Sequence, residues 1–230
     1  MTENPAISIS HVSLGNAEND YDSVINYLLS IKTDFVSFQE LTPDWNVELT
    51  NRLSPTFPYI QTMMRMDQYG MGFFSKIPME SLDTLYYEEV PNLMTKITLG
   101  GIPCNIISCQ LIPPVNQRAF FTIEKHFESL EGYMEHLTGA KIVVGDLHLP
   151  TWTSEVQRFK ENSHLLDSRR DTNPRNIDGS VTLLRIPVEH IFFSNDFACI
   201  SFLELGNSTV GRIGITGTYQ LQETHAEVAE

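Results

Sequence analysis

Six side chains in this sequence stand where an apolar run ends or turns polar. Glu40 follows the run Phe35 to Phe38 by way of Gln39, and Asp146 and His148 follow the run Lys141 to Gly145. Glu189 and His190 sit inside the stretch Ile186 to Phe193, and His11 closes the first alternating segment. Short apolar runs read as strands, and a side chain at a strand's end can project into the cleft that its sheet borders. Carboxylates and imidazoles gathered in one cleft can hold a divalent ion, position water and move protons. Taken singly, a glutamate after a strand is ordinarily a solvated loop residue. The set acquires meaning only if the fold brings its members together.

The elements that must do so can be read from pattern. Ile7 and Ile9 alternate with Ser8 and Ser10 as in a strand, and Tyr21, Val24, Tyr27, Leu28 and Ile31 mark a helical stripe over residues 20–32. A short strand at Phe35 to Phe38 precedes a second helix over 43–53, which Thr42 caps and Pro43 opens. Strands are expected at 59–66, 72–75, 82–87, 93–99 and 103–111. Phe120, Ile123, Phe127, Leu130, Met134 and Leu137 then recur at steps of three and four, one helical face that Gly139 ends. Beyond the strand at Lys141 to Gly145, a helix begins near Thr153, and strands follow at about 186–194, 198–205 and 213–222. So many consecutive strands argue against an open doubly wound sheet. They favour two sheets packed face to face with helices outside. With no repeat, linker or low-complexity tract, residues 1–230 read as one domain, with a core at about 6–222 and a polar tail at 223–230.

Composition sets limits. The chain has 230 residues, is 41% hydrophobic, and sets 15 basic against 29 acidic residues for a formal net charge of −14. Such a surface repels phosphate backbones, because nonspecific nucleic-acid affinity comes from Lys and Arg displacing counterions. No basic stripe offsets this; Arg169 and Arg170 are followed at once by Asp171. Nucleic acid is therefore not the expected partner. No apolar run approaches the roughly 18 residues of a membrane helix, and the N-terminus lacks a signal-like basic and apolar start. The default expectation is cytoplasmic, with a trimmed leader or membrane segment left open. Cys104, Cys109 and Cys199 are odd in number and lack CxxC spacing, so they read as buried thiols.

Several motifs, in order and spacing, resemble the endonuclease/exonuclease/phosphatase superfamily, whose members hydrolyse phosphoester bonds with a divalent metal. They are DFVSFQE at 34–40, YGMGFFSKIPM at 69–79, CQLIPP at 109–114 with Arg118 downstream, VVGDLHLPTW at 143–152, HLLDSRR at 164–170 and IPVEHIFFS at 186–194. The local style is most similar to a bacterial subgroup found fused to small membrane segments. The resemblance implies an α/β (α+β) four-layered sandwich, two packed mixed sheets flanked by helices. It assigns the metal-holding carboxylate to Glu40 and the water- and phosphate-orienting carboxylate to Asp146. It also marks departures. His148 and His11 stand where the family has Asn, Gln110 stands where it has His, and Glu189 before His190 replaces a shorter Asp. The family's closing Ser-Asp-His aligns with the run Gly211 to Ile215, which puts Ile213 and Gly214 where Asp and His belong.

Two functional expectations follow. Loss of one preorganised donor typically costs about 10²–10³ in rate, so these departures imply a diverged, catalytically impaired domain that retains its cleft for a ligand or a protein partner. The alternative is an active phosphoesterase acting on a small phosphoester. It would use Glu40, Glu189 and His11 as metal ligands and Asp146, His148, His190 and Gln110 as catalytic groups. Its metal would be Mg²⁺, Mn²⁺ or Zn²⁺, with the mixed nitrogen and oxygen donors suiting Zn²⁺ or Mn²⁺ better than Mg²⁺. Convergence of Glu40, Asp146, His148 and Glu189 on a metal-sized space would favour the enzyme, and apolar filling of the cleft by Ile213 the impaired scaffold. Trp152, two residues after Pro150, is expected either to join the core or to stack on a substrate ring.

Overall fold

The computed structural model describes residues 4–17, 20–171, 175–176 and 186–222. It begins with two parallel strands, β1 (Ala6–Ser13) and β2 (Phe35–Gln39), joined through helix α1 (Tyr21–Ser30). Asp20 caps α1 by accepting from the Ser23 amide, and Thr42 caps α2 (Pro43–Leu53) by accepting from the Trp45 amide. Antiparallel strands follow: β3 (Tyr59–Met63), β4 (Met71–Ser75), β5 (Met79–Tyr87), β6 (Val90–Leu99) and β7 (Ile102–Cys109). Helix α3 (Gln117–Glu135) carries the chain to β8 (Ala140–Asp146), parallel to β7. The remainder is α4 (Ser154–Asn162), β9 (Leu165–Asp167), α5 (Ser168–Asp171), β10 (Arg175–Asn176), β11 (Glu189–Ser194), β12 (Phe197–Asn207) and β13 (Gly211–Leu221).

The strands form two mixed sheets, ordered β10-β12-β13-β1-β2-β4-β3 and β5-β6-β7-β8-β11-β9. Alternation explains how they stack. In β1, Ile7 and Ile9 face the second sheet and meet Ile106, Ile142, Val144, Ile191 and Phe193 across it. Val12, Val36 and Phe38 face outward and pack on Val24, Leu28, Trp45 and Leu49 of α1 and α2. On the far side Ile107, Val143 and Phe192 pack on Ile123, Phe127, Leu130 and Phe159 of α3 and α4. Three apolar layers thus separate four structural layers, as the sequence led us to expect. Each fully buried aliphatic or aromatic side chain in them contributes about 1.5–3 kcal/mol. No helix among the described residues is long and apolar enough to cross a membrane.

The departures from pattern are local. β3 stops at Met63, short of 66, because Asp67 gathers the Arg65 guanidinium and the Tyr69 amide into a turn. The buried face of α3 starts at Ala119, while Phe120 lies at the rim. β9, α5 and β10 are too short to leave a periodic signal. Cys104 and Cys109 are buried thiols, which burial pushes up to about 11 and about 12, so they stay protonated; Cys199, expected to be buried as well, is only half-buried.

Candidate functional site

The ends of β1, β2, β7 and β8 and the starts of β11 and β13 share one rim, and Gln39 ties the two sheets together there. Its amide nitrogen donates to the Ser108 hydroxyl at 3.1 Å and the Cys109 carbonyl at 3.0 Å, and its carbonyl oxygen accepts from the Asp146 amide at 2.9 Å. Gly145 makes room for that amide. A Cβ there would lie 1.9 Å from the Cys109 carbonyl oxygen and 2.7 Å from the Gln39 nitrogen, at a φ of +154° that L side chains rarely adopt. Gly145→Ala is therefore expected to destabilise the fold by about 3 kcal/mol through overpacking and backbone strain. A thermal melt unchanged from the parent protein would refute it.

Two carboxylates hang from this frame. Glu40 leaves β2 in the left-handed region (φ 59°), and its Oε1 accepts from the Ser13 hydroxyl at 2.8 Å. Gly15 lies so close that a Cβ on it would meet the Glu40 carboxylate at 2.1 Å. Glu40 opens onto a cavity of about 360 Å³ shared with Trp45, Asp67 and Gln68. Asp146 turns onto its own loop, accepting from the His148 amide at 2.8 Å with the His148 Nδ1 at 3.4 Å. Burial raises its carboxyl above the usual range, His148 opposes that, and the Glu189 and Glu40 charges add to it.

The decisive feature comes from β13. Between β12 and β13 the pairing runs Leu205 with Gly214 and then Gly206 with Arg212, so Ile213 is an extra residue, a β-bulge. Ile213 turns outward into the helix-facing core with Val12, Leu14 and Phe38, while Ile215 faces the other sheet. The bulge delivers Arg212 to the cleft. There its guanidinium forms a close ion pair with Glu189, which is only 1% exposed, and its Nε lies 3.2 Å from Glu204. Ile213 therefore does not fill the cleft, so the apolar filling that would have marked an impaired scaffold is not what the structure has. Gly214 cannot stand in for a histidine either, since any Cβ would come within 1.9 Å of the His11 carbonyl oxygen.

The histidines divide. His11 points between the sheets, fully buried, and neither ring nitrogen has a hydrogen-bond partner among the described residues. Burial lowers it to about 4; Glu189 opposes that shift and Arg212 reinforces it. His190 lies on the opposite face of β11 from Glu189, stacked on Phe192 at 5.2 Å. Its Nε2 donates to the Leu149 carbonyl at 2.8 Å and its Nδ1 faces the Thr151 hydroxyl at 3.2 Å. His190 thus holds the 149–151 loop and does not enter the cleft. Burial lowers it, too, to about 4. Gln110 is buried at the rim, its carbonyl oxygen unpartnered among the described residues.

The structure thus brings Glu40, Asp146, Glu189 and His11 into one region, but not around one ion. Among the described residues no group of three or more His, Cys, Asp or Glu side chains is arranged to hold a metal. In this arrangement Glu189 is engaged by a guanidinium, Glu40 accepts from Ser13 through one oxygen, and Asp146 accepts from its own loop. Arg212, Glu204 and Gln39 were not singled out from sequence as site residues. A lone arginine within the apolar run from Gly211 to Ile215 is the one signal that could have pointed to the first of them.

The comparisons agree with this architecture. A family model described as the Endonuclease/Exonuclease/phosphatase family matches residues 12–210. No curated protein matches the sequence. Among solved structures, an endonuclease/exonuclease/phosphatase from Beutenbergia cavernae is 12% identical, with 94% of this chain and 72% of that one covered at a TM-score of 0.77. Truncated Caenorhabditis elegans TDP2 is 13% identical, with 94% and 97% covered at 0.73. D. rerio TDP2 complexed with a single-strand DNA product is 15% identical, with 94% and 99% covered at 0.75. At these identities the likeness shows the fold.

Proposed function

Because the chain belongs to the endonuclease/exonuclease/phosphatase family, we propose that it is a diverged member whose cleft no longer performs metal-dependent phosphoester hydrolysis and is kept for binding. The observation that carries this reading is the ion pair of Arg212 with Glu189, braced by Glu204. A fixed internal cation occupies the carboxylate that the family resemblance assigns to the reacting centre. Four carboxylates, Glu40, Asp146, Glu189 and Glu204, share this rim with the guanidiniums of Arg212 and Arg169, so the local field still adds to the −14 of the whole chain. Both oppose a polyanion such as single-stranded DNA. The ligand class that fits best is a small phosphoester, and a protein partner is the other candidate.

The test is a thermal-shift titration of EDTA-stripped protein with Mg²⁺, Mn²⁺ and Zn²⁺, alongside Glu40→Ala. A ligand that binds only the native state raises its melting temperature by mass action. No saturable, Glu40-dependent rise is expected with any of the three, and bis(p-nitrophenyl) phosphate should remain intact in their presence. A saturable rise that Glu40→Ala abolishes, accompanied by turnover, would restore the active phosphoesterase.

A further inference from the structure

A second cavity, of about 410 Å³, lies at the rim of the second sheet on its helix-facing side, lined by Thr151, Trp152, Gln157, Lys160, Asp167, Arg169 and Pro187. Its charges set it apart. Elsewhere the described cations are mostly matched, Arg52 with Asp22, Arg65 with Asp67, Lys125 with Glu128 and Arg158 with Glu124. Lys160 is only 7% exposed, projects from α4 and has no ion pair among the described residues. Arg169 donates from Nη2 to the Glu189 carbonyl at 2.9 Å and lies over the Phe202 ring at 5.1 Å, and among the described residues no carboxylate is bonded to its guanidinium. The one acid in the lining, Asp167, accepts from the Arg169 backbone amide at 3.0 Å, and its charge, with those of Glu204 and Glu189, favours the charged guanidinium from a distance. In a chain with nearly twice as many acids as bases, two sheltered cations that make no close ion pair among the described residues share one cavity, which points to an anion supplied from outside.

The same cavity presents an aromatic wall. Trp152 is 66% exposed, so it is not the core residue that its position suggested. Its loop is fixed from two sides, by His190 holding Leu149 and Thr151, and by the Gln157 amide donating to the Thr151 carbonyl. A rigid, exposed indole beside cations is suited to stacking on a flat ring that carries negative charge. The cavity volume falls within the range of small-molecule sites, about 300–1,000 Å³.

We propose that this pocket binds a small ligand that joins a planar aromatic ring to an anionic group, a mononucleotide in chemical class. The ring stacks on Trp152, and Lys160 and Arg169 meet the anion. The site adjoins the Glu40, Asp146 and Arg212 cleft through Arg169, whose guanidinium bonds the Glu189 carbonyl, but it does not depend on whether that cleft hydrolyses anything. It also gives His190, unused in the cleft, a positioning role for the Trp152 loop.

Two tryptophans make the test direct, since Trp45 is 2% exposed and Trp152 is the accessible one. Adenosine 5′-monophosphate is expected to quench the exposed tryptophan emission saturably at submillimolar concentration, with adenosine and inorganic phosphate each weaker by about tenfold or more. Lys160→Met keeps the aliphatic stem that packs under α4 and should weaken binding by about tenfold. Trp152→Ala, an exposed change that leaves the fold intact, should remove binding by calorimetry and guards against any folding defect of the lysine variant. Three results would each overturn the site: no saturable quenching below about 10 mM, adenosine binding as tightly as its phosphate, or full affinity in Trp152→Ala.

Discussion

Arg212→Met is expected to destabilise the protein by about 3–5 kcal/mol, more than any other single change in the cleft, because it strips a buried carboxylate of its cation. Glu189 is nearly inaccessible, and the guanidinium that neutralises it also reaches Glu204. Methionine matches the length of the stem but supplies no donor. The penalty should come chiefly from the glutamate left behind, so Arg212→Met with Glu189→Leu is expected to recover most of it. Urea unfolding of both single variants and the double variant gives the coupling. Arg212→Lys should recover little, since one ammonium cannot match a planar fork placed between two carboxylates. If Arg212→Met melts within about 1 kcal/mol of the parent, the pair holds nothing in place and the proposed function loses its carrying observation. The same variant offers a positive sign. Without the guanidinium, Glu189, Glu204 and the unpartnered His11 become a mixed nitrogen and oxygen donor set. A Mn²⁺- or Zn²⁺-dependent rise in melting temperature, absent from the parent, is then expected.

That this arginine went unread in the sequence shows where pattern stops. The sandwich was legible because its signals repeat. Alternation in Ile7 to Val12, the helical steps from Ile123 to Met134 and the Thr42-Pro43 start each recur in the structure as a buried face or a cap. The end of β13 carries no such repetition. An alignment without a gap puts Ile213 and Gly214 in the cleft. One bulged residue reverses the faces, sending Ile213 to the helices and Arg212 inward. A bulge is a pairing fact between strands far apart in sequence, so the local string does not encode it. His190 was misplaced for a related reason. Strand alternation alone puts neighbours Glu189 and His190 on opposite faces, so only one of them can enter the cleft. The resemblance listed both as site residues, and alternation decides between them.

The protein is also expected to lose its fold near pH 5, well above the range where most small domains acid-denature. His11, His126 and His190 are all buried, and burial holds each at about 4 against an ordinary value near 6.5. The sign follows from which state takes up protons. Between those two values the unfolded chain binds protons that the folded one refuses, so stability is full above about pH 6.5 and falls as pH drops toward 4. Three such groups give a slope of up to about 4 kcal/mol per pH unit near pH 5, or about 8 kcal/mol over two units, enough to exhaust the lower part of a typical 5–15 kcal/mol. Asp146 works the other way, because its raised carboxyl lets the folded state bind a proton early, and one group offsets only part of three. His126 provides the control. It lies on α3, far in sequence from the cleft residues, sharing hydrogen bonds with the Asn92 amide at 2.8 Å and stacked on Tyr87. His126→Gln should remove about a third of the slope measured by urea unfolding at pH 7.5, 6 and 5. Stability that stays level across that range would mean these imidazoles are charged in the folded protein. The point bears on function. Held neutral at physiological pH, neither His11 nor His190 offers a positive charge to a phosphorane, which leaves the guanidiniums of Arg212, already committed to two glutamates, and Arg169, already bonded to the Glu189 carbonyl.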